Sequence, residues 1–166
     1  MAFAERQLVV VVIDLAHFVH AVRGMGAIEL AGLVDRYYRE VGDRLSSSGG
    51  RVVKYLGDAI LAVFPPDRAR EAVAAVQSLD PVVARLGADH DVRLELGANV
   101  HLSTVAEGAF GPDERYDVMG TGVNHTFRMA AGPGVRISEP VYRKLANDVR
   151  SGWEKRQPPA TYWQEP

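Results

Sequence analysis

The run Leu8-Val9-Val10-Val11-Val12-Ile13 constrains this chain more than any other stretch. Val and Ile carry two heavy atoms on Cβ and favour an extended backbone. A continuous apolar run with no polar alternation belongs to a strand covered on both faces. The run is far shorter than the roughly 20 residues that cross a bilayer, and its flanks Glu5, Arg6 and Asp14 are charged. Neither a membrane span nor a signal peptide is read here.

The periodicity of the rest supplies partners for that strand. Leu30, Leu33, Val34, Tyr37, Val41 and Leu45 recur at helical spacing, predicting an amphipathic helix over about 29–45 that stops at Ser46-Ser-Ser-Gly-Gly50. Arg51–Lys54 and Ala59–Phe64 read as a hairpin around Tyr55-Leu-Gly-Asp58, closed by Pro65-Pro66. Asp67 is expected to cap a helix whose buried stripe is Ala72, Val73, Val76 and Leu79. From Val92 the period switches to two, for one long strand or a strand pair through Leu102. A Gly/Pro loop at 108–114, a short strand at Tyr116–Met119, a helix over 120–131, a strand at Val135–Ile137, a short helix over 139–146 and a last strand at Thr161–Trp163 follow. The order strand, helix, hairpin, helix, strand predicts an α/β (α+β) fold with a ferredoxin-like βαββαβ core.

Composition narrows the function classes. The 166 residues suit one domain spanning 1–166. No cysteine is present, which removes disulfides, thiolate catalysis and cysteine-based zinc sites. A formal net charge of -2 with no basic stripe argues against a nucleic-acid binder. A cytoplasmic protein is expected.

Two carboxylates stand at comparable places, Asp14 at the end of the first strand and Asp58 in the hairpin turn. In a βαββαβ sheet those strands are neighbours, so the two can converge into a hard-oxygen site suited to Mg²⁺ or Mn²⁺ and a polyphosphate. Spacing alone leaves open that Asp14 caps a helix and Asp58 fills a turn. His17 and His20 are one helical turn apart, but no third ligand type lies nearby for zinc.

Three stretches carry a resemblance. Gly49-Gly-Arg-Val-Val-Lys-Tyr-Leu-Gly-Asp-Ala-Ile-Leu-Ala-Val-Phe64 resembles the hairpin signature of class III adenylyl and guanylyl cyclase catalytic domains, most like bacterial homodimeric adenylyl cyclases. Tyr116-Asp-Val-Met-Gly-Thr-Gly-Val-Asn-His-Thr-Phe-Arg-Met129 resembles their second signature. The first strand with Asp14 and Phe18 resembles a third. With Ile137-Ser-Glu-Pro-Val-Tyr142 the similarity runs along nearly the whole chain in the family's order.

The resemblance implies a head-to-tail homodimer that converts ATP to cyclic AMP and pyrophosphate at two composite sites, with two Mg²⁺ or Mn²⁺ ions in each. Asp14, Asp58 and the Leu15 backbone carbonyl would hold the metals. Lys54 and Asp117 would select adenine, and Asn124 and Arg128 would position the ribose and stabilise the transition state. His17 and Phe18 would lie at the phosphates. In the family the metal carboxylates come from one protomer and the other groups from its partner.

The chain also departs from the pattern. The family's run ending in Gly-Phe-Thr is here Leu15-Ala-His17-Phe18-Val19. His101 and Leu102 stand where a glycine-rich turn is expected between Gly97 and Gly111. A late triphosphate-binding lysine has no clear match, with Lys155 or Arg156 as substitutes. The competing readings are a cyclase with relaxed or GTP selectivity and a silent domain that binds nucleotide or only dimerises. A cyclic-dinucleotide synthase would need a Gly-Gly-acid-acid-Phe hairpin, which the sequence lacks.

Overall fold

The apolar run lies at the heart of an eight-stranded sheet, as a computed structural model describing residues 3–156 and 160–166 shows. The proline-bearing part of the tail, 157–159, lies outside the described residues. Strand β1 (Ala4–Ala16) is longer than the run itself, because pairing with the next long strand carries it past Asp14 to Ala16. Val9, Val10, Val11 and Ile13 are fully buried.

The remaining elements follow in chain order: α1 (Phe18–Ala21), α2 (Ala27–Ser47), β2 (Arg51–Leu56), β3 (Ala59–Phe64), α3 (Ala69–Gln77), α4 (Asp80–Ala88), β4 (Glu95–Phe110), β5 (Arg115–Met119), α5 (Thr121–Arg128), β6 (Gly134–Ser138), α6 (Glu139–Lys144), β7 (Glu154–Arg156) and β8 (Thr161–Gln164). The sheet runs β2-β3-β1-β4-β6-β8-β7, with β5 hairpinned onto β4. Its first four strands are antiparallel in the ferredoxin-like order, and β6 adds parallel to β4.

Alternation along β1 sends side chains to two unlike faces. Val9, Val11, Ile13 and Leu15 join the larger core, which includes the buried faces of α2, α3 and α4. Val10 and Val12 join a smaller cluster with Leu61, Val63, Val105, Val118 and Val123 under β5 and α5. The stripe of α2 explains why that helix holds despite Gly32 and Gly42, which cost about 1 kcal/mol each relative to alanine. Leu33, Tyr37, Val41 and Leu45 are fully buried, and each such burial contributes about 1.5–3 kcal/mol.

Four expectations are corrected. The segment from Gly97 to Gly111 is no hairpin: β4 continues through His101 and Leu102 to Phe110 because β1 pairs with it from Ala16 back to Ala4. The Gly/Pro loop shrinks accordingly to the turn between Phe110 and Arg115. Asp67 does not cap α3; Pro66–Arg68 form a 3₁₀ turn, and Arg68 holds the cap position without a side-chain bond. Strand β1 also does not end at Asp14.

Candidate active site

Tight-turn chemistry places the first carboxylate. Leu56 pairs with Ala59, leaving Gly57 and Asp58 as a two-residue turn in which Gly57 takes a φ of 64°. That left-handed geometry suits glycine and is the kind tight hairpins demand. Two tyrosines of α2 grip the turn from below: the buried Tyr37 hydroxyl donates to the Asp58 carbonyl at 3.1 Å, and the Tyr38 hydroxyl donates to the Gly57 carbonyl. Tyr38 also stacks on Tyr55 with ring centroids 4.2 Å apart.

Asp14 continues the even-numbered alternation of β1 and so lies on the α5 side of the sheet. Beyond Ile13 the β3-side edge of β1 has no ladder partner, so the Leu15 backbone opens beside the Asp58 turn. Leu15 and Asp58 line one pocket, together with His17, Phe18, Val19, His20 and Arg23. The Asp14 carboxyl is held above its ordinary range by burial and by the charge of Asp58, with Arg136 pulling the other way. Its register partner is Gly97, where an added Cβ would stand 2.1 Å from Asp14 Oδ1. Only glycine leaves room for this carboxylate.

The donor set fits a hard divalent cation. Two crowded carboxylates repel one another, and a bound M²⁺ would remove that cost. No cluster of three His, Asp or Glu side chains exists among the described residues, so two carboxylates would share such an ion with backbone, water or substrate oxygens.

His17, read as the counterpart of a family glycine, has a φ of 59° and a left-handed backbone. That conformation is where glycine is normally needed, and a side chain held in it costs of order 1–3 kcal/mol. Phe18 begins the four-residue α1 and is half-buried.

A second pocket of about 430 Å³ lies on the α5 face, lined by Lys54, Leu56, Leu61, Val118, Met119, Gly120, Val123, Asn124 and Phe127. Lys54 sits opposite Leu61 in the β2–β3 ladder, which turns it to this side. Its Nζ is 2.6 Å from Asp117 Oδ2, while Asp117 Oδ1 accepts from the Val118 amide. The two strands bearing this pair are not ladder neighbours. Arg51 bridges them by lying 3.4 Å over the Tyr116 ring, and Tyr116 in turn donates to Glu107 at 2.9 Å. Burial and that bond push the Tyr116 hydroxyl up to about 12. Asn124 and Arg128 are four apart on α5, both exposed, and Arg128 makes no ion pair among the described residues.

Within one chain the two pockets share no lining residue. Lys54, Asp117 and Asn124 gather at one, and Leu15, Asp58, His17 and Phe18 at the other. Leu56, Met119 and Phe127 rim the former with 44%, 50% and 38% exposure, and Val19 borders the latter with 82%.

Of the two tail cations, Lys155 pairs with Tyr162 on the larger-core side. Arg156 stacks on Trp163 at 4.1 Å and acts on Arg136, which puts it on the Asp14 side. Sequence reasoning missed Arg136, Gly97 and the grip of Tyr37 and Tyr38 on the turn. A polar residue inside the apolar strand β6 was the available signal for Arg136.

Under α5, His101 packs edge-on against His125 with centroids 4.8 Å apart. Burial, then the neighbouring His125, lowers His101 from 6.5 to about 4. A base whose folded pKa is depressed takes up protons more readily in the unfolded chain, so stability falls with pH below 6.5 and reaches its full loss below about 4. Thermal melting followed from pH 7 to 4 is expected to show this decline, and His101→Phe is expected to flatten it.

Comparison with known proteins places the fold. No sequence-family model matches the chain. The solved guanylyl cyclase Cya2 superposes with a TM-score of 0.86 at 22% identity, covering 99% of this chain and 94% of that one. The adenylyl cyclase CyaB from P. aeruginosa gives 0.84 at 19% identity, covering 98% and 95%. The chain has the catalytic-domain fold of the class III nucleotidyl cyclases. In sequence, it is 25% identical over 160 residues to an adenylate cyclase of Anabaena cylindrica, spanning 87% of this chain and 32% of that protein. An uncharacterized protein of Mycobacterium tuberculosis strain H37Rv is 30% identical over 128 residues, spanning 75% of this chain and 23% of that protein. The chain thus spans a third or less of these relatives. No helix of the described residues is long and apolar enough to cross a membrane.

Proposed function

We propose that this domain is an adenylate cyclase, forming 3′,5′-cyclic AMP and pyrophosphate from ATP at sites shared between two copies of the chain. The Lys54–Asp117 pair carries the reading. Side by side at the mouth of a pocket, the ammonium can donate to adenine N1 and the carboxylate can accept from the 6-amino group. Guanine presents the reverse pattern on that edge, a carbonyl and a protonated N1.

The ribose 3′-oxygen attacks the α-phosphorus, the bond to pyrophosphate breaks, and the 3′-hydroxyl proton is lost. Asp14, Asp58 and the Leu15 carbonyl would hold Mg²⁺ or Mn²⁺, two ions per site; when bound, these would neutralise phosphate charge and ease loss of that proton. Asn124 can donate to and accept from the ribose, and Arg128 presents a fixed fork of donors to the charge growing on phosphorus. The backbone at His17 and Phe18, in the pocket with Leu15 and Asp58, would meet phosphate oxygens, and Arg156 would supply a cation on the Asp14 side.

The composite character is supported by the separation of the two pockets within one chain and by the apolar rims around them. A head-to-tail homodimer would bring the pocket of one copy to the other's.

A second reading, cyclization of GTP, is favoured by the guanylyl cyclase among the structural neighbours. Product analysis after incubation with ATP, and separately GTP, in Mn²⁺ and Mg²⁺ decides. Cyclic AMP as main product supports the proposal, cyclic GMP transfers it to the second reading, and neither product from a folded dimer leaves a silent domain.

A further inference from the structure

Helix α5 has eight residues, and a helix that short is marginal by itself, so its direction must be set by what it is tied to. Its amino-terminal half is seated where Gly122 meets Ser103; a Cβ at Gly122 would stand 1.9 Å from Ser103 Oγ. The carboxyl-terminal end has the usual problem of carbonyls without intrahelical donors. Asn99 reaches one of those carbonyls, at Thr126, and its register partner across the parallel β4–β6 pair, Arg136, ties down the loop that leaves the helix.

Asn99 is 5% exposed in the middle of β4. Its Nδ2 donates to the Thr126 carbonyl at 2.9 Å and to the Ala130 carbonyl at 3.1 Å. Those bonds lie two residues before and two residues after Arg128. Asn99 Oδ1 is buried and unpartnered among the described residues, so this amide serves through its donors. Arg136, 8% exposed, continues where Asn99 stops: its guanidinium donates to the carbonyls of Ala131, Gly132, Pro133 and Gly134 at 2.9–3.2 Å. Six ties thus span Thr126 to Gly134, five of them at the consecutive residues Ala130 to Gly134, made by two adjacent residues of the sheet.

We propose that Asn99 and Arg136 are positioning residues that fix the carboxyl-terminal end of α5 and thereby the aim of Arg128. The inference rests on the reading of Arg128 given under the proposed function. Neither residue touches the nucleotide in this account. A buried amide and a buried guanidinium are costly unless their donors are satisfied. Among the described residues, every hydrogen bond either donates goes to a backbone carbonyl at the end of α5 or in the loop that leaves it, while the Arg136 charge also acts on Asp14.

The test uses Asn99→Leu, with Arg136→Lys as a second variant that keeps the charge but loses the fan of donors. Hydrogen exchange is read first. Faster exchange over 121–130 with α2 unchanged supports the inference, whether or not the chain turns over nucleotide; unchanged exchange over 121–130 in both variants overturns it. In activity, kcat is expected to fall about tenfold to a hundredfold while KM stays within about twofold, the mark of a misaimed transition-state group. A mixing experiment separates aim from general damage. Asn99→Leu chains mixed with Asp14→Ala chains should regain activity, because the site pairing the first chain's carboxylates with the second chain's α5 is intact. Mixed with Arg128→Ala chains they should not. No recovery with Asp14→Ala, despite demonstrated heterodimers, overturns the inference. If Asn99→Leu does not fold, Arg136→Lys is read in the same three ways. Absence of any cyclic product from the unaltered chain strikes the reading of Arg128 instead, and the exchange result still decides what holds α5.

Discussion

Asp58→Ala is expected to reduce cyclic-nucleotide formation at least about a thousandfold, because a lost metal ligand forfeits several kcal/mol of charge stabilisation at the reacting phosphate. Folding should hardly suffer. The bond that anchors the turn is accepted by the Asp58 carbonyl from Tyr37, and alanine keeps that carbonyl. The demanding left-handed position in the turn is Gly57, not Asp58, so alanine meets no backbone strain. Removing the carboxylate also relieves the repulsion that adds to burial in holding Asp14 above its ordinary range. Melting temperature within a few degrees of the unaltered chain, combined with loss of product, is the expected pair of results. Product formation at the unaltered rate would sink the assignment of Asp58 as a metal ligand.

Which parts of this molecule were legible in its sequence follows from what each signal depends on. The central strand was readable because five β-branched residues in a row have few alternatives to extension. Helix α2 was readable because its stripe repeats over more than four turns' worth of sequence, and its buried residues Leu33, Tyr37, Val41 and Leu45 belong to that stripe. That Asp14 and Asp58 come close enough to influence one another could be argued beforehand from β1 and β3 being neighbours, which they are, although Asp14 does not line the pocket that Asp58 shares with Leu15.

Features set by tertiary pairing were harder. The length of β4 depends on β1 running beside it for thirteen residues, and His101 and Leu102 give no local hint of that support. Strand β7, Glu154–Arg156, is wholly exposed and charged, so no apolar period announces it. Helix α4 was missed although Asp80-Pro81 is an orthodox start, proline being at home in a first turn. Asn99 and Arg136 escaped because a polar residue in a strand is ordinarily read as facing water, and only the packing shows carbonyls in front of each. His17 is the converse case: the sequence shows a departure from the family's glycine, and only the backbone shows that His17 itself takes a left-handed geometry.

Mixing two inactive variants, Asp14→Ala and Arg128→Ala, is expected to restore activity toward a quarter of the unaltered level. Random pairing makes about half the dimers heterodimers, and one of the two sites in each then combines intact carboxylates with an intact α5. The expectation follows from the geometry of one chain. The pocket at Asp58 and the pocket at Lys54 and Asn124 have no residue in common, and Leu56, Met119 and Phe127 leave the second rimmed by exposed apolar surface. A site complete within one chain would behave otherwise: each variant would inactivate its own site, and no mixture could recover. The two accounts therefore differ in kind, not in degree. Formation of heterodimers, followed with differently tagged chains, makes a negative result meaningful. Recovery would fix Asp14 and Arg128 as contributors to one site from opposite protomers. Its absence, with mixing demonstrated, would place both in a single chain and remove the dimer from the chemistry.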